Sequence, residues 1–148
     1  MSSMLQYVCG FIFTSDFEKV TLIKKIKPEW QKDKLNGIGG KIEKKEYPFE
    51  AMVRETKEET GIETTMLDWS AMGESEEGYD WRCFFLCCVN DTVPKTMEAE
   101  EVAQYNVSDI DTLPVIPNLK KLIPKAITLL KNKVKPVETP KKAKKKNG

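Results

Sequence analysis

The sequence predicts a mixed α/β sandwich, an α+β arrangement of one domain around a mixed sheet. Three observations carry that expectation. Apolar runs rich in β-formers stand at residues 6–14 (QYVCGFIFT) and 81–89 (WRCFFLCCV). A helical pattern, started by Pro48 and stopped by Gly61, interrupts the strands. A second helical pattern, LKKLIPKAITLLKNKV, follows the last strand signal. Interleaving of this kind is what layered α/β domains show. With 148 residues, the chain is long enough to bury one core without staples.

In chain order, 6–14 reads as a buried strand, TSDFEK as a turn, and 20–25 (VTLIKK) as a second strand. A loop, KPEWQKDKLNGIGGKIE, follows with Trp30, Asn36 and three glycines, and has a short extended piece near Ile42. The helix opening at Pro48 places Phe49, Val53 and Thr56 at i, i+4 and i+7, one mostly apolar stripe toward the core. A strand over 64–73, an acidic turn ESEEGYD, and the strand 81–89 come next. That last run is apolar almost throughout and belongs in the middle of the sheet. VAQYNV is a short strand, and the final helix over 119–134 is interrupted or started at Pro124.

Composition narrows the chemistry. There is no histidine, which excludes Ser-His-Asp and Cys-His nucleophile systems and His-ligated zinc. Acid–base work is left to carboxylates, lysines, tyrosines or a metal-bound water. Cys9, Cys83, Cys87 and Cys88 form no CxxC pair and read as reduced core thiols. No apolar run reaches membrane-spanning length and MSSMLQYVCG is unlike a signal peptide, so a soluble, cytoplasmic protein without membrane contact is expected. Six lysines against Glu138 give residues 134–148 a net charge of +5, leaving −4 on residues 1–133 of a chain that totals +1. The domain is therefore drawn at 1–133. The tail, 134–148, is expected to be disordered, and a weak nucleic-acid contact through its lysines is weighed against a plain solvated end.

The unusual stretch is GGKIEKKEYPFEAMVRETKEETGI. With about 100° per residue, Glu59 lies roughly 40° to one side of Glu55 and Glu58 roughly 60° to the other. Three carboxylates thus share one helical face, and like charges at these spacings repel. Such a face is either solvated or a cation site. Clustered oxygens suit Mg²⁺, which binds few carboxylates and completes its shell with water and phosphate. Gly37, Gly39 and Gly40 let backbone approach a ligand closely. The combination points to phosphoryl or pyrophosphoryl chemistry with a metal-activated water.

Gly40, Glu46, Arg54-Glu55, Glu58-Glu59 and Gly61-Ile62 resemble the Nudix box, G-x5-E-x7-R-E-U-x-E-E-x-G-U, with U a bulky aliphatic residue. Seven fixed positions agree; at about 7% usage each, chance agreement is on the order of one in a hundred million per window. The one departure is Thr56, where the pattern has an aliphatic residue. The resemblance implies a Nudix-type α/β/α sandwich and hydrolysis, with Mg²⁺ or Mn²⁺, of a nucleoside diphosphate linked to another moiety. It implies that Glu55, Glu58 and Glu59 hold the metal, that the Gly39 carbonyl joins them, and that Arg54 and Glu46 orient the acids.

The similarity continues outside the box. LNGIGGKIE is similar to the run before the helix in Nudix enzymes that sanitise oxidised nucleoside triphosphates, where the asparagine at the Asn36 position contacts the base. By the same likeness, Lys24 stands near the phosphates, Gly40 and Lys41 are further substrate-side candidates, and Glu101 or Glu100 is a fourth carboxylate. Trp30 sits in the pocket-forming loop, where base stacking and ordinary packing both stay open. Glu76, Glu77, Tyr79 and Trp81 carry the same two readings, metal accessory or stacking group against acidic loop or packing. PNLKKLIPKA resembles the segment lining the base pocket, but Asn118 stands where purine-reading relatives can carry aspartate. An amide donates and accepts whereas a carboxylate accepts only, so an 8-oxo-purine preference does not carry over automatically. A free or oxidised nucleoside triphosphate is the expected substrate. ADP-ribose, a dinucleotide, a signalling nucleotide or an RNA 5′ end is the alternative, and a monomer or homodimer is the expected assembly.

Overall fold

The computed structural model describes residues 5–76 and 81–134. The expectations for Glu77, Tyr79 and the lysine-rich tail past Val134 fall outside them, as do the side chains of Glu76 and Trp81. The described residues form strands β1 (Leu5–Phe13), β2 (Lys19–Lys24), β3 (Leu35–Asn36), β4 (Ile38–Lys41), β5 (Ser70–Glu76), β6 (Trp81–Val89) and β7 (Val102–Asn106). Helices α1 (Pro48–Thr60) and α2 (Leu119–Val134) complete them.

β1 is the hub of the sheet. It runs parallel to β6 along its whole length, from Leu5 opposite Trp81 to Phe13 opposite Val89. Its other edge is divided. Tyr7 to Gly10 pair antiparallel with β4, and Ile12 and Phe13 pair antiparallel with β2. The sheet order is β3-β2-β1-β6-β5, with β7 on β2. One parallel pair among antiparallel ones makes the sheet mixed, as expected. The apolar run of β6 is explained by its interior place between β1 and β5.

Alternation sends residues to two cores. Val8, Ile12, Ile23, Ile38 and Leu86 pack with Ala51 and Met52 of α1. Phe11, Phe13, Val20 and Leu22 pack with Leu119, Ile123, Ala126 and Leu130 of α2. Full burial of side chains such as Met52 or Ile123 contributes roughly 1.5–3 kcal/mol each. The same packing explains why α2 runs unbroken through Pro124, where an interruption or a helix start is expected from sequence. Interior proline costs about 3 kcal/mol, and buried residues on both sides of it offset that.

The strand expected over 64–73 begins only at Ser70. Before it, Met66–Asp68 forms a 3-10 turn in which the Asp68 carboxylate accepts from the Thr65 N–H at 2.8 Å. The T-x-x-D spacing is a capping signal that competes with extended backbone. α1 ends at Gly61, whose φ of 77° supplies the left-handed turn. Its core-facing arc differs from the expected Phe49, Val53, Thr56 stripe. Ala51, Met52, Thr56, Glu59 and Thr60 are the buried residues, and Phe49 and Val53 lie half-buried at the margin. A carboxylate therefore shares the core face.

Candidate functional site

The arc just described brings α1 against β4, and the glutamates enter with it. Glu59 is only 8% exposed, and its Oε1 accepts from the Gly39 N–H at 3.1 Å. The Glu55 side chain is also nearly enclosed, at 12%, whereas that of Glu58 is 47% exposed. The expected single exposed face is thus split: two acids turn inward and one stays near solvent.

Arg54 ties the group together. Its Nε and Nη2 donate to the two Glu46 oxygens at 2.7 and 2.9 Å, a two-pronged pairing. Nη1 donates to Glu55 Oε2 at 3.0 Å and to Glu58 Oε1 at 3.2 Å. Nη2 also donates to the Lys41 carbonyl at 3.1 Å, and Glu43 approaches Nη1 at 3.7 Å. Lys41 thus takes part through its backbone, while its side chain is exposed.

The electrostatics follow from this placement. The Arg54 guanidinium holds the Glu46 carboxyl below its ordinary value. Burial raises the Glu55 carboxyl, and the Arg54 hydrogen bond only partly opposes it. Burial, then the Glu55 charge, pushes Glu59 up to about 8. Two partly desolvated acids beside one arginine leave negative charge in excess.

Two of the glycines make room within the protein itself. A Cβ on Gly40 would lie 2.5 Å from Glu55 Oε2, so the missing side chain makes room for a carboxylate. A Cβ on Gly39 would lie 1.8 Å from the Val8 carbonyl oxygen, so that glycine lets β4 lie close beside β1. Gly39 meets Glu59 with its N–H; its carbonyl was the expected metal ligand. Both glycines admit protein, and what they admit builds the site.

For two of the expected residues, Lys24 and Glu101, a residue nearby in sequence is one whose charge reaches Glu55 or Glu59. Lys24 is exposed and pairs across to Leu35. Lys25, on the opposite face by strand alternation, is the lysine whose charge acts on Glu59. Of the acids in MEAEE, Glu98 exerts its charge on Glu55 and Glu59. Glu101 is exposed and acts on Tyr105. Glu100 is held by Lys25 Nζ at 3.0 Å and by the Ile26 N–H at 2.7 Å. The spacing of four consecutive acid-rich positions gives no phase in a loop, so the sequence could not choose among them. The Lys95 N–H donates to the Thr60 carbonyl and the Met97 N–H to that of Glu59, which fixes the loop beside the end of α1.

Trp30 is 62% exposed on the 3-10 turn Glu29–Gln31, and its neighbour Gln31 is the residue that touches Asn36. Asn118 is exposed at the start of α2, where its carbonyl accepts from the Leu122 N–H. The segment before it pairs beside Leu35, through Leu35 N–H to Pro114 and Ile116 N–H to Leu35. The chain thereby reaches Asn118 from the strand that carries Asn36.

Among the described residues, no three acidic or cysteine side chains converge as metal ligands do. Glu58 is turned to Arg54, and Glu59 to the Gly39 amide. The donor set nonetheless fits a hard divalent cation: all oxygen, two members buried, and raised carboxyls that a cation would relieve.

Known proteins agree with this construction. The NUDIX domain profile matches residues 4–141. A MutT structure from work on Aliivibrio salmonicida and Vibrio cholerae is 24% identical, with a TM-score of 0.68, over 84% of this chain and 96% of that one. The NUDIX domain of Shewanella oneidensis NrtR, solved with ADP ribose, is 16% identical, with a TM-score of 0.74, over 88% and 90%. A Francisella tularensis bifunctional NMN adenylyltransferase/ADP ribose pyrophosphatase, solved with AMP and a manganese ion, is 18% identical, with a TM-score of 0.63, over 90% of this chain and 42% of that one. No curated protein matches the chain. The match across nearly its whole length, on a fold that sets Arg54 among the glutamates of the box, shows that the chain belongs to the Nudix family of hydrolases.

Proposed function

We propose that this enzyme is a divalent-metal-dependent hydrolase of the diphosphate linkage in a nucleoside diphosphate derivative. Its substrate is a free or oxidised nucleoside triphosphate, and its products are the nucleoside monophosphate and pyrophosphate. One observation carries the reading: Glu55 and Glu59 are desolvated side by side, with raised carboxyls, beside an arginine already engaged by Glu46. Glu55, Glu58 and Glu59 would hold Mg²⁺ or Mn²⁺, which when bound supplies charge neutralisation at the diphosphate and a more acidic water. Arg54 and Glu46 keep the acids oriented. Lys25 and Glu98 set the field around them. Asn36 and Asn118 stand on the base side, and four free cysteines fit a reducing cytoplasm.

A second reading, cleavage of ADP-ribose or a related dinucleotide, has equal standing. What favours it is the NrtR domain solved with ADP ribose, whose backbone superposes at a TM-score of 0.74. The test is product analysis. The protein is incubated with Mg²⁺ and nucleoside triphosphates, oxidised triphosphates, ADP-ribose, dinucleotides and capped RNA. Monophosphate plus pyrophosphate from a triphosphate supports the first reading, and AMP from ADP-ribose the second. No cleavage of any panel member, with bound Mg²⁺ verified, overturns both.

A further inference from the structure

Lys25 and Glu100 face each other just past the end of the β2–β7 ladder. The ladder sets Leu22 opposite Ala103 and Ile23 opposite Val102. One step on, the Lys24 N–H donates to the Glu101 carbonyl at 2.8 Å, and the next step brings Lys25 across from Glu100. Alternation turns both toward the side of Ile23 and Val102, which pack in the α1 core. Lys25 Nζ donates to Glu100 Oε1 at 3.0 Å, and the two side chains are only 18% and 17% exposed. The other oxygen, Oε2, accepts from the Ile26 N–H at 2.7 Å and the Lys27 N–H at 3.3 Å. Burial works to raise the Glu100 carboxyl, but the Ile26 N–H, Lys25 and the Lys27 N–H together hold it below its ordinary value. Glu100 is thus a fixed, charged acceptor with both oxygens engaged by protein.

The Lys25 charge also acts on Glu59. Among the described residues, though, Glu100 is the one hydrogen-bond partner of Nζ. One ammonium is therefore within reach of two carboxylates on the same side of the sheet, and it pairs with the one outside the box. We propose that Glu100 is a positioning residue that holds the Lys25 ammonium off Glu59, so that a divalent cation and not the lysine neutralises the acids of α1. This rests on the metal reading above and adds to it a counter-ion that is not itself a metal ligand. A lysine ammonium is a compact charge on a flexible stem and re-pairs readily. Left partly buried without Glu100, it lowers its energy by turning to another carboxylate. Glu59 is the replacement already within range of its charge, and a cation would then have to displace it. The two backbone N–H groups keep Glu100 itself in place, so the lysine is held at a fixed point.

Calorimetric titration of the full chain with Mg²⁺ alone tests this. Glu100→Gln keeps an acceptor for the Ile26 and Lys27 N–H groups and loses only the charge that holds Lys25. Its Mg²⁺ affinity is expected to fall about 10- to 100-fold, the range for lost support of metal ligands. Adding Lys25→Met to Glu100→Gln should bring the affinity back to the wild-type value or above. A metal ligand at Glu100 predicts instead that the double variant binds as weakly as the single one. Lys25→Met alone should bind Mg²⁺ at least as tightly as the wild type, a result that does not depend on how Glu100→Gln folds. Turnover supplies a further readout: the deficit of Glu100→Gln should close as Mg²⁺ is raised, because a competing ammonium yields to mass action. Unchanged affinity in Glu100→Gln, no recovery in the double variant, or weaker binding in Lys25→Met each overturns the inference and leaves the glutamate site intact. A wild-type chain that binds no Mg²⁺ takes down the metal reading, and this inference with it.

Discussion

Two polar clusters hang from the 36–40 segment, one neutral and one charged. Around Asn36, the Gly37 amide, the Cys9 thiol and Gln31 close a neutral network with one donor to spare. Around Arg54, four glutamates meet one guanidinium, and the Gly39 amide adds one more donor. Burial of satisfied neutral groups costs little, whereas burial of charge in excess costs several kcal/mol until it is neutralised. The first cluster is neutral and leaves only one N–H without a partner among the described residues. The second is incomplete as folded and suits a cation.

The sharpest way to break this contrast is to remove charge from the second cluster. Glu58→Gln or Glu59→Gln is expected to lower turnover about a thousandfold, the scale of several kcal/mol of metal stabilisation. Circular dichroism should show the fold retained, because glutamine keeps the shape and an acceptor for the Gly39 N–H. Full turnover in both variants, measured with saturating Mg²⁺, would remove the glutamates from the metal site.

Next in size is a pH dependence that only the charged cluster has. Glu59 sits near 8 in the fold against 4.5 for an ordinary glutamate. A raised acid binds more protons folded than unfolded, so its contribution is complete below pH 4.5 and is lost as pH rises toward 8. Chelated protein should therefore lose up to about 4 kcal/mol of stability over that window. Glu46 acts oppositely. Its lowered carboxyl contributes above its ordinary value and is lost as acid is added. Urea unfolding from pH 5 to 9 should fall in EDTA, flatten in Mg²⁺, and flatten in Glu59→Gln. A flat profile in EDTA for the wild type contradicts the excess charge.

Gly40→Ala probes the same cluster more gently. The new methyl meets the end of a flexible side chain, Glu55 Oε2, so the carboxylate shifts and the backbone does not. Metal affinity should weaken about 10- to 100-fold, the range for disturbed ligand orientation, with little change in unfolding. Gly39→Ala meets the Val8 carbonyl and should lose stability first, by about 3 kcal/mol. Calorimetric Mg²⁺ titration of Gly40→Ala and denaturation of Gly39→Ala separate the two adjacent glycines.

How much of this the sequence holds depends on whether period and composition suffice. The strands β1 and β6 and the start and stop of α1 were legible because apolar runs, Pro48 and Gly61 are local signals. The grouping of Arg54, Glu46 and the three glutamates was legible through the box spacing. What was not legible is which way a helix turns. A wheel centred on Phe49, Val53 and Thr56 leaves the acids outside, and packing rotated the buried arc onto Glu59. Lys24 and Lys25 differ by one residue in a strand, hence by a whole face. Gln31 met Asn36 through a 3-10 turn that carries no periodic signal.

Thr56 offers the smallest test, and a control for both clusters. It is fully buried on α1, and among the described residues its Oγ1 has no hydrogen-bond partner. It lies beside Glu55 in sequence yet belongs to neither network: its carbonyl accepts from Thr60 Oγ1 at 2.7 Å, and its hydroxyl does nothing comparable. It is also the one box position that departs from the aliphatic pattern. Valine has the same branched shape and similar helix propensity, so the exchange removes an unsatisfied polar group without opening a cavity. Thr56→Val should stabilise by about 1 kcal/mol, a rise in Tm of about 2–4 °C for a domain of this size. Turnover should stay at its wild-type value. A loss of stability would mean that the hydroxyl is satisfied after all, by a water held between α1 and the sheet, and the accounting for the α1 core would have to include it.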